Sequence, residues 1–322
     1  MNQTIYLAGG CFWGLEKLMR SIPGVTGATS GYANGCEGLD PTYTAVCAGN
    51  TGFKETVRVT YDPAQVSLET LLFQFFSVID PTQKNRQAHD IGTQYQTGVY
   101  YADPASQATV EAVAAIERER RQPFYVEIEP LRNFFPAEDY HQQYLDKNPG
   151  GYCHIPPAAF RKAARIKIDA GKYPRPPKAK LKETLTPEQY RVTQQADTEA
   201  PFQNALWQHR EKGIYVDVTT GEPLFTSADK FQSGCGWPAF STPIDPAVIA
   251  ELPDLSHGMH RTEVRSRAGN AHLGHVFEGD PESPTGTRYC INSAALRFVP
   301  YADMDKEGYG ELKAAIDPAT AE

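Results

Sequence analysis

Gly10-Cys11-Phe12-Trp13-Gly14, running on from Ile5-Tyr6-Leu7-Ala8 and into Leu15-Glu16-Lys17-Leu18-Met19, is the stretch on which the reading of this chain turns. The short apolar run predicts a strand, and the apolar spacing behind the second glycine predicts a helix. A thiol at that junction lies at a helix N-terminus, where unpaired N–H groups and the helix dipole favour the thiolate. The thiolate is the nucleophilic form of cysteine, so the placement suits an exposed, activated Cys11. A buried free cysteine filling core space is the other reading these residues allow.

Further along, the first half alternates strand and helix signals. Glu55-Thr56-Val57-Arg58-Val59-Thr60-Tyr61 has the two-residue alternation of a half-buried strand, and Thr97-Gly98-Val99-Tyr100-Tyr101 reads as another. Leu68 to Phe76 follows a helical period behind the cap Ser67. Pro104 to Gln122 predicts a longer helix ending in a solvated run of Glu and Arg. Between Ala158 and Lys182 basic residues alternate with Ala, and Tyr173-Pro174-Arg175-Pro176-Pro177 suits neither helix nor central strand. Residues 161–185 therefore read as a semi-rigid Pro/Lys-rich linker between a domain at 1–160 and a second at 186–322. Past Thr186-Pro187-Glu188-Gln189-Tyr190 short strands and turns predominate, predicting a mainly antiparallel β domain of twisted sheets.

With 322 residues the chain can form two ordinary domains, each with its own core. A formal net charge of −8 speaks against nucleic acid as a partner. No apolar stretch approaches the ~18 residues needed to span a bilayer. Met1-Asn2-Gln3-Thr4 has neither the basic nor the apolar region of a secretory signal, so a cytoplasmic chain is expected, and a monomer by default. Six cysteines are too few for a disulfide scaffold, which leaves catalysis or metal binding as their work.

Gly10-Cys11-Phe12-Trp13-Gly14 resembles the active-site signature of peptide-methionine sulfoxide reductase A. The resemblance continues through Gly31-Tyr32, Pro41-Thr42-Tyr43, Glu55, Tyr61-Asp62-Pro63, Asp90-Ile91-Gly92-Thr93-Gln94-Tyr95, Glu138-Asp139-Tyr140-His141-Gln142-Gln143-Tyr144 and Gly151-Tyr152-Cys153, spanning residues 4 to about 155. A second signature, in Ser233-Gly234-Cys235-Gly236-Trp237-Pro238, Arg261-Thr262-Glu263-Val264-Arg265, His272-Leu273-Gly274-His275-Val276-Phe277 and Arg288-Tyr289-Cys290-Ile291-Asn292-Ser293, resembles methionine sulfoxide reductase B over about residues 186 to 300. The chain thus resembles a fusion of both. The two epimers of methionine sulfoxide need one enzyme each, so such a fusion repairs both. The implied fold is α+β: a two-layer α/β sandwich with a ferredoxin-like core, followed by the antiparallel β domain.

Reducing a sulfoxide with a thiol needs an attacking thiolate, a proton for the oxygen, and an apolar seat for the methyl group. The resemblance implies Cys11 as nucleophile, Phe12 and Trp13 as walls of that seat, and Glu55, Tyr43, Tyr95 and Asp90 as the groups that protonate or hold the oxygen. A carboxyl buried beside aromatic rings has a raised pKa and can stay protonated near neutrality. Cys153 matches the resolving position, where a second thiol condenses with the sulfenic acid to a disulfide. Cys47, in Ala45-Val46-Cys47-Ala48, reads as core, and Cys36 as a passive loop thiol. Phe53-Lys54 replaces the family's His-Ala before Glu55, which predicts altered contacts at the pocket rim.

For the second site the resemblance implies Cys290 as nucleophile, Cys235 as resolving thiol, Trp237 as the methyl wall, and His272, His275 and Asn292 around the oxygen. Many enzymes of this second family carry zinc in two Cys-x-x-Cys pairs. The corresponding positions here are Asp217 and Thr220, then Ser266 and Gly269, from which no tetrahedral thiolate site can be built. The domain is expected to be zinc-free and held by packing alone. His272 and His275 also have the spacing of a metal pair. Neither half carries a nucleotide or flavin signature, so no bound cofactor is implied, and the family implies thioredoxin as electron donor. Two other readings use the same cysteines: a thiol–disulfide sensor without turnover, and a cysteine hydrolase with His141 as base.

Overall fold

A computed structural model describes residues 1–317; residues 318–322, the end of the expected 186–322 domain, lie outside the described residues. The chain divides into two compact units, Met1–Gly171 and the part from Lys172 onward. No helix among the described residues is long and apolar enough to cross a membrane.

The first unit runs β1 (Gln3–Ala8), α1 (Phe12–Ser21), β2 (Val25–Ala33), α2 (Tyr43–Cys47), β3 (Lys54–Tyr61), α3 (Leu68–Phe76), β4 (Arg86–Gln87), β5 (Asp90–Ile91), β6 (Gly98–Tyr101), α4 (Pro104–Arg120), β7 (Glu127–Pro130), β8 (Phe134–Pro136), α5 (Tyr144–Lys147) and α6 (Pro157–Ala163). A six-stranded sheet has the order β7-β6-β1-β3-β2-β8, antiparallel except between β6 and β7. Alternation along β1 and β3 sends Ile5, Leu7, Val57 and Val59 to one face. There they pack with Leu15 and Leu18 of α1, Leu71 and Phe75 of α3, and Val110 and Val113 of α4. The result is the expected two-layer sandwich. Glu55 follows the same alternation as Val57, which aims its carboxyl at the helical layer beneath the start of α1.

Helix starts follow their caps. The Ser67 hydroxyl accepts from Thr70 N at α3, and the Asp103 carboxylate accepts from Ala105 N and Ser106 N at α4. The stretch read as a linker is shared between the units. Asp169 accepts from the Ser67 hydroxyl within the first unit. Past Pro177 the chain forms α7 (Lys178–Thr184), which buries Leu181.

The second unit continues with α8 (Pro187–Gln195), β9 (Gly213–Asp217), β10 (Pro223–Thr226), β11 (Lys230–Phe231), β12 (Ala239–Phe240), β13 (Ile249–Asp254), β14 (Arg261–Ser266), β15 (His272–Glu278), β16 (Thr287–Ile291), β17 (Leu296–Pro300) and α9 (Lys313–Ile316). A three-stranded sheet, β10-β9-β17, accompanies a six-stranded one, β11-β12-β16-β15-β14-β13. Every pairing in them is antiparallel. A capping box between Thr186 and Gln189 opens α8.

Candidate active sites

Cys11 is the N-cap of α1, as the strand–turn–helix reading requires. It is not exposed, however: the residue is 7% accessible. Its thiol is held well above the ordinary range by burial first and then by the Glu55 charge. The helix N-terminus therefore does not set the resting state of this thiol, because desolvation outweighs it. Glu55 is 2% accessible, and its carboxylate accepts from Phe12 N at 3.0 Å, one residue from the thiol. Burial pushes Glu55 from an ordinary value of 4.5 up to about 8. Near neutrality it carries a proton, which also removes its charge from beside Cys11.

Around this pair stands an aromatic box. The Trp13 indole N–H donates to His141 Nδ1 at 3.1 Å, and the Trp13 ring stacks on Tyr144 at 3.8 Å. His141 lies 5.1 Å from the Phe12 ring and 4.5 Å from Tyr43, centroid to centroid. Burial lowers the pKa of His141, so the imidazole is neutral and accepts from an indole rather than from a thiol. The hydroxyls of Tyr43 and Tyr95 keep their protons, raised by burial, and Glu55 acts electrostatically on both. Asp90, on β5, accepts from the Tyr152 hydroxyl at 3.1 Å.

Cys153 donates its thiol to Ile155 O at 3.3 Å, and its sulfur lies 2.8 Å from where a Cβ on Gly14 would stand. The second glycine of the motif thus makes room for the second thiol, a reason invisible along the chain. Cys47 is exposed rather than core, because Val46 is the residue of α2 that turns inward. Phe53 and Lys54 do not line a pocket rim either. Phe53 is buried edge-on against Phe135, and Lys54 pairs with Glu127 at 3.3 Å, since alternation on β3 turns it away from Glu55.

In the second unit the β register assembles the site. Ala239, Cys290, His275 and Glu263 oppose one another across four strands, so these side chains share a face, and Arg288 joins them two residues before Cys290. His272 and His275 are three apart and would point to opposite faces of a regular strand. An irregularity opposite Val264 and Arg265, with Gly274 at φ +155, turns both to one side, ring centroids 5.7 Å apart. A Cβ at Gly274 would stand 2.0 Å from Cys290 O. His272 Nδ1 lies 2.6 Å from Glu263 Oε1, and His275 Nε2 lies 2.8 Å from Asp254 Oδ2. Both histidines line a cavity of about 380 Å³ with Asp254, Arg261 and Glu263. His272 Nε2 is buried and has no partner among the described residues, a donor or acceptor left for a ligand.

Cys290 Sγ is 3.5 Å from Cys235 Sγ. Its S–H donates to Cys235 Sγ, a contact that raises the Cys290 thiol and pulls Cys235 down to about 5. Trp237 donates its indole N–H to Glu199 O at 3.1 Å. Asn292 is buried with its carboxamide bonded to backbone, accepting from Glu199 N at 3.2 Å and donating to Leu273 O at 3.0 Å. Arg288, overlooked in the sequence, lies over the Phe277 ring and lowers both thiols by its charge. The alternation Arg288-x-Cys290 on a strand was the available signal.

The four positions that hold zinc-binding cysteines in many family members do not fit a metal here. Asp217 is fully buried, and its Oδ1 accepts from Thr219 N and Thr219 Oγ1, each at 2.7 Å. The Thr220 hydroxyl reaches Oδ2 at 3.3 Å, and the Ser266 hydroxyl also bonds to this carboxylate. A Cβ on Gly269 would stand 2.3 Å from Asp217 Oδ2, leaving no space for a thiolate. Beside this knot Arg267 donates to buried Glu222 Oε1 at 2.6 and 2.9 Å. The expectation of packing alone is corrected: a hydrogen-bonded carboxylate and a buried ion pair tie the β9–β10 turn to the β14–β15 turn, joining the two sheets.

The peptide methionine sulfoxide reductase family model matches residues 3–172, and the SelR domain model matches residues 185–300. Among solved structures, the chain is similar to Mxr1 from Saccharomyces cerevisiae in reduced form, with 38% identity, 47% of this chain and 88% of that chain covered, and a TM-score of 0.45. It is also similar to methionine sulfoxide reductase A of Corynebacterium diphtheriae, with 38% identity, 48% and 83% covered, and a TM-score of 0.43.

Proposed function

We propose, for a chain that belongs to the peptide methionine sulfoxide reductase family and carries a SelR domain behind that unit, two independent repair sites. The first takes the S-epimer of methionine sulfoxide at Cys11, and the second takes the R-epimer at Cys290. In the first, Phe12 and Trp13 seat the methyl–sulfur end while Tyr43 and Tyr95 donate to the oxygen. Protonated Glu55 neutralises the oxygen as the Cys11 sulfur bonds to the substrate sulfur. The oxygen passes to Cys11, the thiol proton ends on it, and the products are methionine and a Cys11 sulfenic acid. Two electrons leave the cysteine sulfur and reach the substrate sulfur. Cys153 then attacks that sulfenic acid, a disulfide forms and water leaves.

At the second site Trp237 bounds the methyl seat and His272 and His275 hold the oxygen. Cys290 becomes the sulfenic acid and Cys235 resolves it. Thioredoxin is the dithiol donor that returns both disulfides to thiols, and no resident metal or cofactor takes part. The observation that carries the reading is Glu55: a buried carboxyl of pKa about 8, bonded to Phe12 N beside a buried thiol. An exposed strand carboxylate would have no such use, and neither a sensor nor a hydrolase needs this acid.

The test is turnover of peptides carrying one epimer each, with thioredoxin and its reductase supplying electrons. Cys11→Ser should abolish S-epimer reduction and leave R-epimer reduction intact, and Cys290→Ser should do the reverse. If either change removed both activities, independent sites would be the wrong description.

A further inference from the structure

Ser233 stands two residues before Cys235 in Ser233-Gly234-Cys235. Cys235 N donates back to Ser233 O at 2.5 Å, a turn tight enough to fold the serine side chain onto the sulfur. The Ser233 hydroxyl, itself 9% accessible, donates to Cys235 Sγ at 2.9 Å. The same sulfur lies 3.4 Å from Trp237 O and 3.5 Å from Cys290 Sγ. The other titratable or charged groups facing this sulfur are Cys290 and Arg288 from β16 and Lys230 from β11. Arg288 is bound to Asp280 and lies over Phe277, and Lys230 donates to the carbonyls of Trp207 and His209. Ser233 alone among them is a neutral hydroxyl whose bond is directed at Cys235.

We propose that Ser233 is the positioning residue of the resolving step at the second site: its hydroxyl holds the Cys235 sulfur in place, aimed at the sulfur of Cys290. The inference rests on the two-thiol reading above and adds to it a residue for the second chemical step. In that step the Cys235 thiolate attacks the sulfur of the Cys290 sulfenic acid, and the S–S bond forms as the S–O bond breaks. Hydroxide leaves and takes up a proton to become water. The Cys235 sulfur is oxidised and the Cys290 sulfur reduced. Methionine has already departed, so Ser233 has no part in the first step. In the reduced site Cys235 is drawn down first by the Cys290 S–H and then by the Ser233 hydroxyl, against burial. The sulfenic acid no longer has that S–H, so Ser233 is the side-chain donor that remains, and its loss should raise Cys235.

The experiment separates the steps in the full chain by single turnover on an R-epimer peptide without a reductant. It follows methionine release, loss of titratable thiols, and sulfenic acid trapped by dimedone. Ser233→Ala should release methionine at the parental rate. It should close the disulfide about tenfold more slowly at pH 6, with the midpoint of the rate–pH profile about one unit higher. More sulfenic acid should be trapped, and Ser233→Thr, which keeps the hydroxyl, should restore rate and midpoint. An unchanged rate and midpoint in Ser233→Ala overturns the proposal, and so does a parallel loss of both steps. If the parent chain itself releases no methionine from the R-epimer, the two-site reading fails first.

Discussion

Replacing Glu55 by Gln should stabilise the first unit while slowing its chemistry by orders of magnitude. The carboxyl has an ordinary pKa of 4.5 when the chain is unfolded and about 8 when it is buried. Below pH 4.5 both states carry the proton, and the burial has no ionic penalty. Between 4.5 and 8 the unfolded chain has released a proton that the folded chain keeps, so the unfolded state binds fewer protons and stability falls as pH rises. At 1.36 kcal/mol per pH unit the penalty is about 3 kcal/mol at pH 7, and it grows by about 2 kcal/mol from pH 6 to pH 8. Above pH 8 both states are ionised and the slope ends.

Gln keeps an oxygen to accept from Phe12 N and carries no charge. After about 1 kcal/mol for an unpaired amide N–H, Glu55→Gln should gain about 2 kcal/mol at pH 7 and lose the pH dependence. Loss of the acid should lower kcat/KM for the S-epimer by about 10²–10⁴. Native-state hydrogen exchange of the Ile5, Leu7, Val57 and Val59 amides, corrected for the intrinsic rate at each pH, reports the unfolding free energy of this unit. R-epimer turnover is the control. Parental stability that stays flat from pH 6 to pH 8 would refute the argument that burial keeps Glu55 protonated. S-epimer turnover within a few-fold of the parent would refute its role as acid.

Two further perturbations test the packing behind the sites. Gly14→Ala sets a methyl group 2.8 Å from Cys153 Sγ, so the reduced form loses the seat of that thiol. Overpacking of about 1–3 kcal/mol falls on the reduced form, whereas the helix gain of Ala over Gly is common to both redox states and cancels. The Cys11–Cys153 potential should then be about 20–65 mV more negative in a redox titration; an unchanged potential would mean that this seat has no energetic weight. Asp217→Ala strands the Thr219 N–H and three hydroxyls. It should destabilise the second unit by about 3 kcal/mol, lowering the temperature at which R-epimer turnover is lost and sparing the S-epimer. A strong chelator should leave R-epimer turnover of the parent chain untouched, and inhibition by it would restore metal to the account.

Much of the fold was legible because local chemistry and tertiary structure agree. Leu68–Phe76 is a helix behind its Ser67 cap, and Lys54–Tyr61 is a strand whose one face, from Glu55 to Tyr61, lies in the core. Within the stretch read as a linker, Leu181, isolated among lysines, is buried on α7, which no local pattern records. Cys47 was misread for the converse reason. Its apolar neighbours suggested a core, but a five-residue helix buries one side, and Val46 takes it.

The sequence by itself determined which residue types could do chemistry: a cysteine between glycines at a strand–helix junction, a glutamate on an apolar alternation, a second pair of thiols, and the absence of zinc-binding cysteines. These are properties of residue type and spacing. Only the tertiary structure decided their electrostatic state and their company. Burial raises Glu55 and Cys11 together, Gly14 yields its volume to Cys153 139 positions away, an irregular strand turns His272 and His275 to one face, and Asp217 ties two sheets together. Desolvation, close contact and cross-strand register act between residues far apart in the chain, and so they exist only once it has folded.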